Sequence, residues 1–232
     1  MSQDVGDRSP SWGKKKPIKW LSTSLRDLIS TAPKKTLSSG SLENPALAAS
    51  DLEEKIAPID LSTLEHNEHP DFVGVDAMKE LLRRHPGPGF GCLSKLEDAA
   101  RQKRWSAFHP SGLQFDWWMF PIPEPSNTFG HKYQVKAAEI ALLKSDSSWL
   151  CDYRRGFQLI AQSWGWDIEK RDEIPQCSEH QRWIRYPARL KKMFRSLVAF
   201  EQVDYIESLS IFAELNLDAK DLESMKNFLI RH

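Results

Sequence analysis

The chain has 232 residues, 32 of them lysine or arginine and 32 aspartate or glutamate, so its formal net charge is zero. That length suits one sizeable domain with tails or two small domains, and the charge balance excludes a globally basic nucleic-acid binder while leaving room for a local patch. The three cysteines, Cys92, Cys151 and Cys177, fit a reducing compartment better than a disulfide framework, and no apolar run approaches the roughly 18 residues that span a bilayer.

Residues 1–70 read as a disordered tail. Ser, Pro, Lys and Gly dominate the first fifty, and Ser38-Ser39-Gly40-Ser41 has the composition of a flexible linker. Ile18, Leu21, Leu25, Leu28 and Ile29 recur at helical spacing after Lys14, Lys15, Lys16 and Lys19. They predict a short amphipathic helix over 18–29, either transient or in contact with a partner or the surface of a membrane. Asp4, Asp7 and Asp27 argue against an organelle transit peptide, and the N-terminus lacks the apolar core of a secretory signal. The expected setting is therefore soluble and cytoplasmic, or nuclear in a eukaryote. Residues 51–70 are acidic and read as solvated linker. Within them His66 and His69 are spaced to share a helix face, but no further Cys or His cluster completes a metal site, so no metal is assigned.

Residues 71–232 read as a helical domain. Val75, Met78, Leu81 and Leu82 predict a helix over 73–85, which His85-Pro86-Gly87-Pro88-Gly89 then breaks. Gly87, Gly89 and Gly91 read as a turn, because no strand precedes them and no Gly-Lys-Ser/Thr follows. Ser94-Lys95-Leu96-Glu97 has the form of a capping box, predicting a helix from there to about 107. Phe115-Asp116-Trp117-Trp118-Met119-Phe120 is the densest aromatic stretch, and Pro121, Pro123 and Pro125 follow it. Trp117, Trp118, Phe120 and Pro121 are expected to anchor the core, with the prolines turning the chain into a rigid surface loop.

Strong helix formers follow over 133–144. Ser147 or Ser148 is the expected cap of the next helix, whose face carries Trp149, Tyr153, Phe157, Ile160 and Trp164. Gly156 on that face would admit a close neighbour, and Gly165 can supply a left-handed stop. After a loop over 167–179, a further helix starts at about 178 or at Pro187 and presents Leu190, Met193, Phe194, Leu197 and Val198. Two more helices are expected over 204–215 and 218–230, with Asp218 as a cap. The fold class is all-α: an irregular helical bundle after a disordered tail.

Three groups could carry chemistry or binding. His109 and His131 could work as acid–base partners of Asp116 and Glu124 if they met in a cleft, but nothing in their spacing fixes that geometry. Cys177-Ser178-Glu179-His180 lacks a second ligand pair and any nucleophile signature, so it reads as an ordinary loop. No catalytic residue and no cofactor is assigned. Arg182, Arg185, Arg189 and Lys192 recur every three or four residues, with Trp183 and Tyr186 between them, in a segment over 182–195 that has no acid. On one helical face they would suit an acidic peptide or a single-stranded nucleic acid. They would equally suit a solvated face paired to the acidic C-terminal helices through residues such as Glu207 or Glu214. All four cations are expected to be exposed.

Trp118-Met119-Phe120-Pro121-Ile122-Pro123-Glu124-Pro125 resembles the Trp-Leu-Phe-Pro-Leu-Pro-Glu-Pro-like signature of the conserved domain of opioid growth factor receptors. Trp149 to Trp164 resembles that family's helix before an aromatic-Gly pair. Arg189-Leu190-Lys191-Lys192-Met193-Phe194-Arg195-Ser196-Leu197 looks like its Arg-Ile-x-Arg-Ile-Leu-x-Ser-Leu helix. The likeness spans about 110–215. It departs at Phe115-Asp116-Trp117, where the family has Tyr-Ile-Gln, and at Arg185-Tyr186, where it often has His-Asn. The resemblance implies a helical, non-enzymatic interaction module with a protein or peptide partner of the enkephalin kind, and it assigns that role to no residue. Nucleic-acid binding through 182–195 is the second expectation, and an enzyme built on His109 or His131 the third.

Overall fold

The protein is described here by a computed structural model covering residues 61–230. The expected tail over 1–60, with its 18–29 helix and 38–41 linker, lies outside the described residues. Eight α-helices follow in order: α1 (Val75–Arg83), α2 (Leu93–Arg101), α3 (Asp116–Met119), α4 (Ala137–Ser145), α5 (Ser147–Ser163), α6 (Pro187–Ala199), α7 (Val203–Asn216) and α8 (Ala219–Ile230). A two-residue antiparallel hairpin, β1 (Trp166–Asp167) and β2 (Asp172–Glu173), is the one sheet among the described residues. The all-α expectation holds, and no described helix is long and apolar enough to cross a membrane.

α5 is the hub, touching α1, α2, α4 and β1. Its N-cap is Asp146, whose carboxylate accepts the Trp149 amide at 2.9 Å; neither Ser147 nor Ser148 caps it. Trp149, Tyr153 and Phe157 form a ladder along the buried face, with ring centroids 5.0 and 4.9 Å apart. Phe200 closes on the first two, and Phe120 on the third at 4.5 Å. Of the two polar atoms in this ladder, the Tyr153 hydroxyl is satisfied by Ser196 Oγ at 2.9 Å, whereas Trp149 Nε1 is buried with no hydrogen-bond partner among the described residues. Gly156 admits the expected close neighbour: a Cβ there would lie 2.3 Å from Met119 Sδ, so α3 can lie against α5 only because the side chain is absent. Gly165 ends the segment at φ +80°.

Helix ends depart from expectation where the stop carries no glycine. α2 does not reach 107. Lys103 stands at φ 55°, its amide donates to Ala100 O and the Arg104 amide reaches back to Ala99 O. That is a Schellman stop built on lysine, and Trp105–Phe108 continues as a 3₁₀ turn. α6 ends the same way on Glu201 (φ 56°). The capping box also fails: Cys92 is the N-cap, Ser94 Oγ donates to Arg83 O, and Glu97 pairs with Arg155.

The folded chain begins before Asp71. Ala138 donates its amide to Glu65 O, Lys136 pairs with Glu65, and the Asn67 side chain donates to Gln134 O at 2.7 Å. Residues 65–69 are thus tied to the start of α4 and are not solvated linker. His66 bonds Leu61 O, and His69 stacks on His131 with centroids 4.3 Å apart.

The aromatic stretch does anchor the core. Trp118, Met119 and Phe120 are fully buried, and Trp118 Nε1 donates to Gly91 O at 2.9 Å. Two details differ from expectation. Trp117 is only half-buried, held by Phe129 and by a 2.9 Å hydrogen bond from Nε1 to Ser126 Oγ. The chain also stays inside longer than a surface loop would: Pro121 is buried, Ile122 to Glu124 are half-buried, and Pro125 is the first exposed residue.

Candidate functional site

Pro187 fixes the start of α6, since it has no N–H to give and its φ suits the first helical position. Arg182, Trp183, Arg185 and Tyr186 therefore precede the helix, and Arg185 stands at φ 53°. The single basic face expected over 182–195 does not form. Arg189 is 3% exposed, so the expectation that it faces solvent fails. Its Nε and second terminal nitrogen donate to the two Asp116 oxygens at 2.6 and 3.1 Å. Its remaining nitrogen donates to Phe108 O, and Phe115 and Tyr186 lie under the guanidinium plane at 4.5 and 5.3 Å. Lys192 is likewise turned inwards, its Nζ 5.4 Å from the centre of the Trp117 ring. Arg195 donates to Glu124 at 2.6 Å. The acids that meet this helix thus come from the aromatic stretch and its proline loop, whereas Glu207, the expected partner, pairs with Arg171 at 2.8 Å. Only Arg182 and Arg185 remain exposed of the four cations.

The same pairs decide the acid–base candidates. Asp116 and Glu124 are held by Arg189 and Arg195. His131 Nδ1 lies 2.6 Å from Gln134 Oε1 and its ring stacks on His69. His109 has its Nε2 buried with no partner among the described residues, and its ring meets His180 edge-on at 6.4 Å. Each of the four is drawn into a different contact.

Exposed arginines and buried aromatics instead converge on a groove of about 590 Å³ between the 164–166 turn, the 173–185 segment and the end of α7. That volume is ordinary for a ligand cleft. Its apolar wall is a cluster of rings. Trp164 stacks on Phe212 at 5.4 Å and meets Trp183 edge-on at 4.8 Å, and Trp166 packs on Phe212 at 5.6 Å. Ile174, Leu215 and Leu217 extend it. Trp166 Nε1 is spent on Ser208 Oγ at 3.0 Å, but Trp183 Nε1 is buried and has no acceptor among the described residues. Arg182 and Arg185 stand at one lip, and neither has an ion pair among the described residues. At the other lip Asp218 is occupied as the cap of α8, accepting the Asp221 amide at 2.9 Å as expected. Glu173 is exposed beside Cys177.

The segment holding the arginines is fixed by local bonds. Gln181 Nε2 donates to Gln162 O and its Oε1 accepts from Ser178, whose hydroxyl also accepts the Trp105 indole at 2.8 Å. Gln176, His180 and Arg185 all take positive φ without being glycine, a cost the surrounding contacts must override. Cys177 is a neutral thiol at physiological pH: desolvation and then the charge of Glu173 raise its pKa, and Sγ donates to Ile174 O. It lies against Gly165, where a Cβ would come within 2.9 Å of its sulfur.

The sequence singles out Arg182, Trp183 and Arg185 but joins them to the wrong neighbours. Trp164 reads as part of the apolar face of its helix, and both it and Phe212 are buried, so no residue type announces that their outer edges border an opening. The glycine-free turns of 174–186 that create the opening leave no signature in composition. Among protein-family models, curated proteins and solved structures, none matches the chain.

Proposed function

We propose that the protein is a non-enzymatic interaction module of the kind its resemblance to opioid growth factor receptors implies. The groove bordered by Trp164, Trp183 and Phe212 takes a peptide segment of a protein partner. The observation that carries this is the pairing of an aromatic wall with two exposed arginines that have no acid of their own. An aromatic or long aliphatic side chain would cover the rings, and a carboxylate one or two residues away would meet Arg182 or Arg185 through charge-assisted hydrogen bonds. Trp183 contributes its ring to this wall, its indole N–H being buried with no acceptor among the described residues.

Selection of the full-length protein against a random peptide library tests this. Enriched peptides are expected to carry a large apolar residue close to Asp or Glu. Their affinity should fall roughly tenfold or more in Arg182→Glu/Arg185→Glu, as loss of a charge-assisted contact implies. Lys103→Glu, an exposed site outside the groove, should leave it unchanged. Equal binding by the double variant, or enrichment without acids, contradicts the reading. Salt-sensitive binding of a single-stranded oligonucleotide that the same double variant loses would favour nucleic acid instead.

A further inference from the structure

On the reading of the groove as a peptide dock, on which this inference rests, we propose that the chain carries its own occupant for it. That occupant is the segment Asp51-Leu52-Glu53-Glu54-Lys55, which docks in cis and competes with partner peptides. Residues 1–60 lie outside the described residues, and their charge is unevenly spread. Over 1–50 there are eight bases and four acids, and over 51–60 four acids and one base. The second stretch is the one whose charge suits Arg182 and Arg185, which have no ion pair among the described residues. It also repeats the pattern that the groove calls for. Leu52 would cover the rings of Trp164 and Trp183, and Asp51, Glu53 and Glu54 around it supply carboxylates for the two arginines. Glu173 at the opposite lip would repel a purely acidic strand, but Lys55 follows the acids and gives that carboxylate a partner.

The chain enters the described fold close enough for this. Leu61 lies by the start of α4: its carbonyl bonds His66, and Glu65 O accepts the Ala138 amide. That region meets the middle of α5, because the Val135 amide donates to Ile122 O and the nearby Phe120 packs on Phe157. Phe157 is seven residues, about 10 Å of helix, from Trp164 in the groove wall. Leu52 is nine residues from Leu61, a reach of up to about 30 Å when extended. So short a tether holds the segment at an effective concentration on the order of millimolar. A segment with an intrinsic Kd of about 0.1 mM would then fill the groove about nine-tenths of the time and weaken a competing peptide about tenfold.

The test compares full-length wild type with full-length Leu52→Ser/Glu53→Lys/Glu54→Lys. A peptide enriched on the groove is expected to bind the variant about tenfold more tightly, and the gap should persist on dilution of the protein. Leu52→Ser alone should give part of that gain. The Trp183 indole resonance, identified by its loss in Trp183→Phe, should differ between wild type and variant. A synthetic peptide of residues 50–60 should move it saturably in the variant, back towards its wild-type position. Glu43→Lys, elsewhere in the same tail, should change neither affinity nor resonance. Equal affinity of the enriched peptide for wild type and variant would overturn the cis occupant and leave the groove standing as a dock. A gap that vanishes on dilution would give the groove to the tail of a second copy and overturn it as well. Failure of every peptide to bind either protein would remove the groove reading, and this occupant with it.

Discussion

Replacing Arg189 by Met alone is expected to destabilise the domain by about 3–5 kcal/mol, the usual consequence of leaving one member of a buried ion pair without its partner. The expectation follows from geometry. The Arg189 side chain is 2% exposed and that of Asp116 17%, and the guanidinium spends its donors on both Asp116 oxygens and on Phe108 O. In the single variant Asp116 would keep its charge in a half-buried position, and Phe108 O would lose its donor. Asp116→Leu should cost a similar amount from the other side. The double variant should recover part of the loss, because two apolar side chains no longer desolvate a lone charge. Recovery will be incomplete, since Phe108 O stays unpaired and the cation contacts on Phe115 and Tyr186 are gone. Urea denaturation of the four proteins measures this cycle. Near-wild-type stability of both singles would show that the pair is solvated in solution.

Trp118→Ala should be as severe, at about 3–5 kcal/mol. Its ring is completely buried, contacts His85 at 4.6 Å and Tyr133 at 5.6 Å, and gives its indole N–H to Gly91 O. Truncation removes that area and leaves a buried carbonyl without its donor. Phe120→Ala should cost a comparable amount, because Phe120 links the α3 turn to Phe157 on the hub helix. Melting temperatures of the two variants decide. Unchanged values would mean that the aromatic stretch is not the anchor it is taken for.

Much of the architecture is written in patterns the chain repeats plainly. The three- and four-residue spacing of Trp149, Tyr153, Phe157 and Ile160 gives α5 and its buried face, Pro187 gives the start of α6, Asp218 caps α8, and Gly156 and Gly165 mark a close approach and a stop. Signals fail where an unusual residue does the work. Lys103 and Glu201 end helices at positive φ, where glycine is the readable mark. Long-range pairing is hidden as well. A periodic row of cations looks like a solvent-facing stripe, and only tertiary contact shows that Asp116, 73 residues away from Arg189, turns that side chain inwards. The candidate site suffers most. Arg182, Trp183 and Arg185 stand out in sequence, but their companions Trp164 and Phe212 come from two other elements and are joined to them only by the fold.

The groove as a docking site is tested most directly by the indole N–H resonance of Trp183 in full-length, ¹⁵N-labelled protein, identified by its absence in Trp183→Phe. With a selected acidic–apolar peptide, that resonance is expected to move saturably, together with the side-chain resonances of Arg182 and Arg185. Saturable peptide binding that leaves Trp183 and both arginines unmoved would contradict the assignment.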